Sequence, residues 1–347
     1  MSTKWIDMGI ETATPVGVWR VIGDLIFGGL AVTLVKGPDD LWVVPLALVA
    51  GEAVGAAALF LRLKTQGLGV RLRWDPEVAA PLFGRAAPIL GQILLGLLLY
   101  NMDVVFLRVL MGNEAVGYYA AAYMLISFLA NIGVLYGLSL LPALSRESEA
   151  EAGQASFEST TAIYHTALAH VFAITAPVAV GGVFVARGII ELGFGDAYQP
   201  SVIVLQVLVW VVPITVLRNV PWSALIARDA EHLAMRATLW AVVLNLVLNA
   251  TLIPKIGMVG AALATLLAEP LACGMMIYYA ATRGLPMVPL RRLVKPALAA
   301  AAMAAALWWV AADGLVLPLV LGATTYLVTL AILGGLGREG RIPVLRI

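Results

Sequence analysis

The sequence predicts an all-α, polytopic membrane protein with about ten transmembrane helices, and three observations lead to this fold class. The chain has 347 residues, of which 61% are hydrophobic and only 12% are charged, about half the charge of an average soluble domain. Its mean hydropathy is +0.94. Long apolar runs alternate with short polar gaps, and the cations are unevenly distributed among those gaps. We therefore expect the chain to lie in a lipid bilayer.

Ten apolar segments account for the predicted helices in chain order. A helix that spans a bilayer needs about 20 mainly apolar residues. Segments of this kind lie at roughly 16–35, 41–61, 88–109, 116–142, 163–185, 201–226, 237–254, 258–281, 296–312 and 314–336. Because ten is an even number, both termini are expected on the same side of the membrane.

Lysine and arginine residues indicate which side is cytoplasmic. Three of the 22 cations lie inside apolar runs (Arg20, Arg108 and Arg218), and three lie in one set of alternate gaps (Lys36, Arg187 and Lys255). The other sixteen lie in the opposite set of gaps: Lys4, Arg62, Lys64, Arg71, Arg73, Arg85, Arg146, Arg228, Arg236, Arg283, Arg291, Arg292, Lys295, Arg338, Arg341 and Arg346. Cationic loops stay in the cytoplasm during insertion. We therefore expect a multi-pass protein of the inner (plasma) membrane with both termini in the cytoplasm.

The composition argues against several classes of function. A net charge of +1 gives no reason to expect nucleic-acid binding. The single cysteine, Cys273, excludes an internal disulfide and any cysteine-based metal cluster, and no cofactor or metal is expected. The outer loops are too short to hold a catalytic domain. The longest inner gap, residues 64–87, is either an amphipathic segment in the lipid headgroup region or a plain linker.

Three motifs in the middle of the chain resemble a known family. The first has an Asp late in a helix, a Gly turn, Val-Gly-Tyr and then Ala-Tyr, here at Asp103, Gly112, residues 116–119 and residues 122–123. The second is Phe-Gly-x-x-Tyr within residues 189–210, and the third is Asn…Pro-x-x-Gly-x-x-Gly-Ala-Ala within residues 245–269. In this order they are similar to motifs of the polysaccharide (O-antigen) flippases, which belong to the multidrug/oligosaccharidyl-lipid/polysaccharide exporter superfamily.

This resemblance implies a domain organisation and a class of substrate. Relatives usually have twelve to fourteen spans in two six-helix lobes, so this chain would lack the first four spans. Residues 1–63 would be the remnant of the first lobe, 64–87 a cytoplasmic linker, 88–285 the second lobe and 286–347 two additional spans with a cytoplasmic tail. The implied partners are a lipid-linked oligosaccharide, the bilayer itself and other membrane proteins of polysaccharide or lipopolysaccharide assembly.

Ionisable groups within the spans are the candidate substrate-binding residues, because such groups are costly in lipid and usually face protein or a wet cavity. At about 1.5 Å per residue from the cytoplasmic end, five polar groups share one layer near the middle of the membrane: Asp24, Arg218, Asn245, Glu52 and Glu269. Transporters place substrate sites at this depth. Arg20 lies one helical turn from Asp24, and Asn219 follows Arg218.

Arg218 is the leading candidate. It follows Pro213, where a kinked helix could line a cavity, and its guanidinium could hold a diphosphate bidentately. The alternative is an ion pair with Asp24 or Glu52 that only fixes helix packing. Asp103, near the outer end of its helix, is either a functional motif position or a carboxylate that anchors packing.

Together the residues and the resemblance favour a flippase, which would move a polyprenyl-diphosphate-linked oligosaccharide from the cytoplasmic to the outer leaflet by alternating access. Two alternatives stay open. A cation-coupled multidrug exporter of the same superfamily would use the carboxylates Asp24, Glu52 and Glu269. A polytopic glycosyltransferase or polysaccharide polymerase is the less favoured reading, because the chain shows no nucleotide-binding or metal-binding motif and no large loop. The protein is therefore not expected to be an enzyme.

Overall fold

The computed structural model describes residues 13–65, 76–149, 154–285, 291–310 and 314–335, and these residues are helical apart from short turns and loops. Two of the turns are single turns of 3₁₀-helix, Pro38–Asp40 and Asp196–Tyr198. The helices are α1 (Ala13–Leu34), α2 (Val43–Thr65), α3 (Pro76–Met111), α4 (Asn113–Glu149), α5 (Gln154–Phe194), α6 (Ser201–Leu208), α7 (Val211–Ile226), α8 (Glu231–Thr282), α9 (Arg291–Val310) and α10 (Val316–Ile332).

The ten predicted apolar segments coincide with ten helical stretches of the described chain. The long helix α8 is broken at Ile256 and Gly257, so that α8a (residues 231–255) and α8b (residues 258–282) are two of the spans. Gly257 has φ of +60°, a left-handed conformation that glycine adopts without steric cost. By length and hydropathy, eight stretches of the described residues could cross a membrane, with α8 counted once, and α10 is a shorter apolar helix.

Helices α6 and α7 form one apolar stretch, Ser201–Ile226, that is interrupted where the sequence predicts a kink. Pro213 has no N–H, so it cannot donate to the carbonyl of Val209. The chain changes its bonding just before the proline, since the Trp210 N–H donates to the Val207 carbonyl at 3.3 Å and the Val212 N–H donates to the Val209 carbonyl at 3.2 Å. The predicted kink is therefore present at the start of α7.

The chain divides into two compact units, Met1–Ala79 and Ala80–Ile347. In the first unit, α1 and α2 form a hairpin whose backbones approach closely, since a Cβ atom on Gly23 would lie 2.9 Å from the Gly51 carbonyl oxygen. In the second unit, the main core is formed by apolar side chains of α3 to α8. Helices α9 and α10 pack against α5 through a separate cluster that includes Ala176, Met303 and Tyr326.

Part of the predicted linker is helical. Helix α2 continues to Thr65 and α3 begins at Pro76, so the second half of the 64–87 segment is the start of α3. Proline is favoured at the first position of a helix, and the alanines that follow it are good helix formers. The prediction of an amphipathic headgroup segment rests largely on residues 66–75, which lie outside the described residues.

A buried polar network in the second unit

Close contact between α4 and α7 positions Arg218. Gly133 and Gly137 of α4 face α7, where a Cβ atom on Gly137 would lie 2.9 Å from the Cβ atom of Asn219. Small residues of this kind let helix backbones approach within a membrane. The Ser223 hydroxyl donates to the Gly137 carbonyl at 2.8 Å, which joins the two helices across this contact. Together these contacts hold α7 in a fixed position against α4.

Three side chains from three helices form the arginine site: Tyr100 of α3, Arg218 of α7 and Glu269 of α8b. The Arg218 Nε donates to Glu269 Oε2 at 3.0 Å, and Arg218 Nη2 donates to the Tyr100 hydroxyl oxygen at 3.0 Å. The Tyr100 hydroxyl in turn donates to Glu269 Oε1 at 2.6 Å. The glutamate side chain is fully buried, whereas the arginine side chain is 12% exposed. The arginine site is therefore a neutral ion pair with one accessible member.

The bonding of Arg218 uses one side of its guanidinium. A guanidinium has five N–H donors in a planar fork, and the bonds to Glu269 and Tyr100 use one donor on Nε and one on Nη2. The two donors on Nη1 and the second donor on Nη2 make no hydrogen bond to another described residue. These donors form the edge of the fork that binds carboxylates and phosphates bidentately.

An apolar cavity of about 920 Å³ lies next to the arginine site, within the size range of ligand pockets. The cavity is lined by α5, α7, α8b and α9 and is open to the surroundings of the protein. Its lining includes Leu217, which precedes Arg218, and Pro270, which follows Glu269. Alanines of α9 such as Ala301 form one wall, and Cys273 lies on another. A charged pair and an apolar cavity therefore occupy neighbouring faces of α7 and α8b.

Four further side chains form the aspartate site around Asp103, which is fully buried. The Tyr119 and Thr265 hydroxyls donate to Asp103 Oδ2 at 2.7 and 2.6 Å. The Asn249 amide donates to Asp103 Oδ1 at 2.6 Å and the Asn245 amide donates to the same oxygen at 3.4 Å. Four neutral donors from α4, α8a and α8b thus surround one carboxylate of α3.

The aspartate site is rich in oxygen atoms that could hold a hard cation. The Asn249 Oδ1 atom is buried and has no hydrogen-bond partner among the described residues. Carboxylate, amide and hydroxyl oxygens are ligands for such cations, and a carboxylate in the membrane is also a candidate proton carrier. Among the described residues, no group of three His, Cys, Asp or Glu side chains could hold a metal ion.

The two sites lie one helical turn apart on the same helices. Helix α3 contributes Tyr100 and Asp103, and α8b contributes Thr265 and Glu269. Between them stands Tyr123, whose ring stacks on Tyr119 at a centroid distance of 6.0 Å and tilts against Tyr100 at 6.3 Å. The arginine site and the aspartate site are therefore neighbouring polar clusters that are linked by aromatic contacts of Tyr123.

The structure brings together some of the predicted site residues and separates others. Arg218 and Glu269 are in direct contact, whereas Asn245 belongs to the aspartate site. Asn219 is buried beside Arg218, and its amide donates to the Thr215 carbonyl at 2.9 Å. Within the second unit the ion-pair partner of Arg218 is Glu269, and the alternative pairing with Asp24 or Glu52 stays a prediction. The carboxylate of α8b reaches Arg218 because α7 and α8b pack side by side.

The remaining predicted residues, Arg20, Asp24 and Glu52, belong to the first unit. All three are exposed, and Arg20 and Glu52 line a small recess between α1 and α2 with Gly23 and Gly51. Substrate binding by these residues stays a prediction.

Sequence reasoning missed four members of the network: Tyr100, Tyr119, Asn249 and Thr265. One signal was available, since Asn249 follows Asn245 by one helical turn and both therefore face the same side of α8a. Tyr100, Tyr119 and Thr265 have neutral side chains that carry no such signal. They are recognised as site residues only because α3, α4 and α8b pack together.

The three sequence motifs meet in space. The first and third share the aspartate site, through Asp103 and the asparagines of α8a. The first and second meet outside that site, where the Tyr118 ring contacts the Tyr198 ring edge-on at a centroid distance of 5.6 Å. Tyr198 also packs against Phe194 of its own motif. The motifs therefore mark the contacts between α4, the turn after α5, α3 and α8.

Comparison with known proteins agrees with this architecture. A sequence profile described as "Polysaccharide biosynthesis protein" matches residues 3–148, and a search of curated proteins by sequence found no match. The lipid II flippase MurJ, in an inward closed conformation, superposes with a TM-score of 0.73 at 13% identity, over 95% of this chain and 69% of that chain. A MOP superfamily transporter from Pyrococcus furiosus superposes with a TM-score of 0.51 at 22% identity, over 68% of this chain and 55% of that chain.

These similarities show the fold. The chain has the all-helical fold of the MurJ flippase and of MOP superfamily transporters, and it spans 69% of the length of the first and 55% of the length of the second. Neither protein is described as an enzyme. The expected fold class, an all-α polytopic protein with a flippase-like fold, is confirmed, and the division into a partial first lobe and a complete second lobe stays a prediction.

Proposed function

We propose that this chain is a membrane transporter that flips a polyprenyl-diphosphate-linked oligosaccharide from the cytoplasmic to the outer leaflet. The observation that carries the proposal is the position of Arg218, which has donors without a partner among the described residues and follows Leu217, a residue of the cavity lining. An anionic headgroup joined to a long apolar chain needs these two environments next to each other. The polysaccharide profile and the MurJ-like fold support the same class of substrate.

The arginine site would bind the diphosphate. Hydrogen bonds between guanidinium and phosphate are charge-assisted and often bidentate, and the Nη1 edge of Arg218 has the donors for them. The site lies inside a helical unit where water is scarce, so each such bond is stronger than at a protein surface. Binding there would select substrates that carry phosphate over neutral lipids.

The apolar cavity would hold part of the polyprenyl chain. Its walls are almost entirely hydrocarbon, and alanines along α9 keep one side free of bulky side chains. Each methylene group moved from water to such a cavity contributes about 0.8 kcal/mol. For a substrate already in the membrane the gain is smaller, so the cavity would position the chain more than it would attract it.

The transport cycle in this proposal is alternating access, as the resemblance to the flippases implies. The proposed location is the inner membrane, and the proposed orientation with cytoplasmic termini rests on the distribution of lysine and arginine. An O-antigen or lipopolysaccharide precursor is the proposed glycan, and the proteins that assemble it are the proposed partners.

A cation-coupled exporter is the second candidate, and the aspartate site favours it. A fully buried carboxylate with an unpartnered amide oxygen beside it, Asn249 Oδ1, is suited to bind and release a proton or a small cation. Such a site would couple ion movement to transport of either a drug or a lipid. The identity of the transported molecule therefore decides between the two candidates.

The test replaces Arg218 with Ala in the full chain, reconstituted in liposomes. We expect flipping of a fluorescent polyprenyl-diphosphate-linked sugar to fall at least tenfold, because the diphosphate loses its charge-assisted bonds. Arg108→Ala is the matched control, since Arg108 is an exposed cation at the end of α3. Unchanged flipping by the Arg218→Ala protein would contradict the headgroup assignment.

The same proteoliposomes distinguish the exporter. If the Arg218→Ala protein loses tenfold or more in efflux of a cationic dye while its sugar transport is unaffected, the exporter is the correct reading. Replacing sodium by choline in both assays, with Asp103→Asn beside the unmodified protein, shows whether transport is coupled through the aspartate site.

A further inference from the structure

We propose that Glu269 is a resident counter-anion, which occupies Arg218 in the empty transporter and exchanges with the diphosphate of the substrate. The inference rests on the proposed function, and it assigns to Glu269 the control of substrate release. Glu269 was expected to contact substrate; its position gives it another part in the same cycle.

The first step of the argument is the cost of an unpaired arginine. A guanidinium inside the membrane is expensive without a compensating charge, and the side chain of Arg218 is only 12% exposed. Glu269 supplies that charge from a fully buried position at 3.0 Å. The empty site can therefore persist in the bilayer without a bound anion.

The second step is the geometry of the pair. Glu269 bonds Arg218 through Nε with a single oxygen, Oε2, while its other oxygen accepts the Tyr100 hydroxyl. The Nη1 donors have no hydrogen-bond partner among the described residues, and the side chain is partly exposed, so a phosphate could make its first contacts before the carboxylate leaves. An incoming anion therefore does not have to break the ion pair to begin binding.

The third step is the repulsion that follows binding. A diphosphate on the Nη1 edge and a carboxylate on Nε would share one cation, and two anions a few ångströms apart repel strongly in a medium of low dielectric constant. Each anion therefore weakens the other's hold on Arg218. A transporter needs a substrate to bind and also to leave, and the returning carboxylate would drive release.

The test is Glu269→Gln in the full chain, purified in detergent. Gln keeps the size and the oxygen that accepts the Tyr100 hydroxyl, but it carries no charge. We expect the affinity for geranylgeranyl diphosphate to rise at least tenfold, and the maximal rate of flipping of the labelled lipid-linked sugar to fall by a similar factor. A carboxylate that only fixes helix packing would not give tighter binding with slower turnover.

Two controls accompany this variant. Glu114→Gln removes an exposed carboxylate that accepts a hydrogen bond from Tyr118, so it measures the effect of charge removal away from Arg218. Tyr100→Phe frees one donor of Arg218 and one oxygen of Glu269 while it keeps the ring. If Glu269→Gln does not fold, Tyr100→Phe serves as the test, with an expected two- to fivefold gain in diphosphate affinity.

The outcomes separate the two proposals. If the unmodified protein binds geranylgeranyl diphosphate no better than geranylgeraniol, the diphosphate function itself is wrong. If it binds the diphosphate and folded Glu269→Gln binds it equally or more weakly, the exchange is wrong and the headgroup assignment stands. Tighter binding without slower turnover also overturns the exchange, because release would not then depend on the carboxylate.

Discussion

The arginine site and the aspartate site use the same helices but solve the problem of a charge in the membrane in different ways. At the arginine site the charge is cancelled by a second charge, Glu269, and one edge of the guanidinium stays open. At the aspartate site a lone carboxylate is held by four neutral donors and is fully closed. One turn of helix separates an exchangeable anion site from a closed carboxylate.

This difference suggests a division of work. A neutral pair with free donors can take up a large anion without a change in its own buried charge. A closed carboxylate can accept only a proton or a small cation, because its surroundings leave no room for more. If both sites act in transport, the substrate and the coupling ion would bind within one network and would influence each other through Tyr123.

The largest effect should come from breaking the ion pair on one side only. Glu269→Leu leaves Arg218 without a counter-charge, which costs about 3–5 kcal/mol for a buried pair, somewhat less here because Arg218 is partly exposed. Replacing both residues, Glu269→Leu with Arg218→Met, should return stability to within about 1 kcal/mol of the unmodified protein. The free energy of unfolding of both variants is measured in mixed micelles. If the single and the double variant lose the same amount of stability, this account of the ion pair is wrong.

The aspartate site should not tolerate an apolar replacement in this way. Asp103→Leu leaves four donors without their acceptor, and intramembrane hydrogen bonds contribute about 0.6 kcal/mol on average and up to about 1.7, which predicts a loss of about 2–4 kcal/mol. Asp103→Asn keeps an acceptor and should lose less than half of that. The same unfolding assay checks both variants, and a stable Asp103→Leu protein would show that the donors find other partners.

Filling the apolar cavity should affect the lipid chain and spare the headgroup. Ala301→Phe projects a ring into the cavity from α9, and we expect roughly tenfold weaker binding of geranylgeranyl diphosphate, equivalent to about 1.4 kcal/mol. Binding of inorganic pyrophosphate should not change. Ala305→Phe is the matched control, because Ala305 is exposed on the same helix away from the cavity lining. Alkylation of Cys273 provides a second probe of the same cavity.

The smallest effect concerns the ring between the two sites. Tyr123→Leu removes two aromatic contacts, each worth about 0.5–1.5 kcal/mol, with partial compensation by the leucine. A double-mutant cycle between Asp103→Asn and Arg218→Gln should give a coupling energy of about 0.5–1 kcal/mol. We expect that energy to disappear when the cycle is repeated with Tyr123→Leu. A coupling that survives would mean that α3 and α8b transmit it without the ring.

The sequence by itself determined the fold class, the number of helices and several of the important residues. Apolar length fixes the ten helical stretches because a bilayer demands about 20 apolar residues per span, and proline and glycine mark the breaks before Pro213 and at Gly257. Ionisable residues are rare within apolar segments because they are costly in lipid, and this was sufficient to select Arg218, Glu269 and Asp103. None of these inferences needed a contact between helices.

Only the tertiary structure decided which of these residues meet. The estimated depth along each helix put Asn245 in the same layer as Arg218, but in the structure Asn245 contacts Asp103. Counting residues gives the depth of a side chain in the membrane, but it does not give the rotation of the helix about its axis. The partner of Arg218 likewise depended on which helix lies next to α7, and that helix is α8b. Tyr100 and Thr265 became site residues for the same reason: they are neutral, so nothing in their own chemistry distinguishes them until the helices pack.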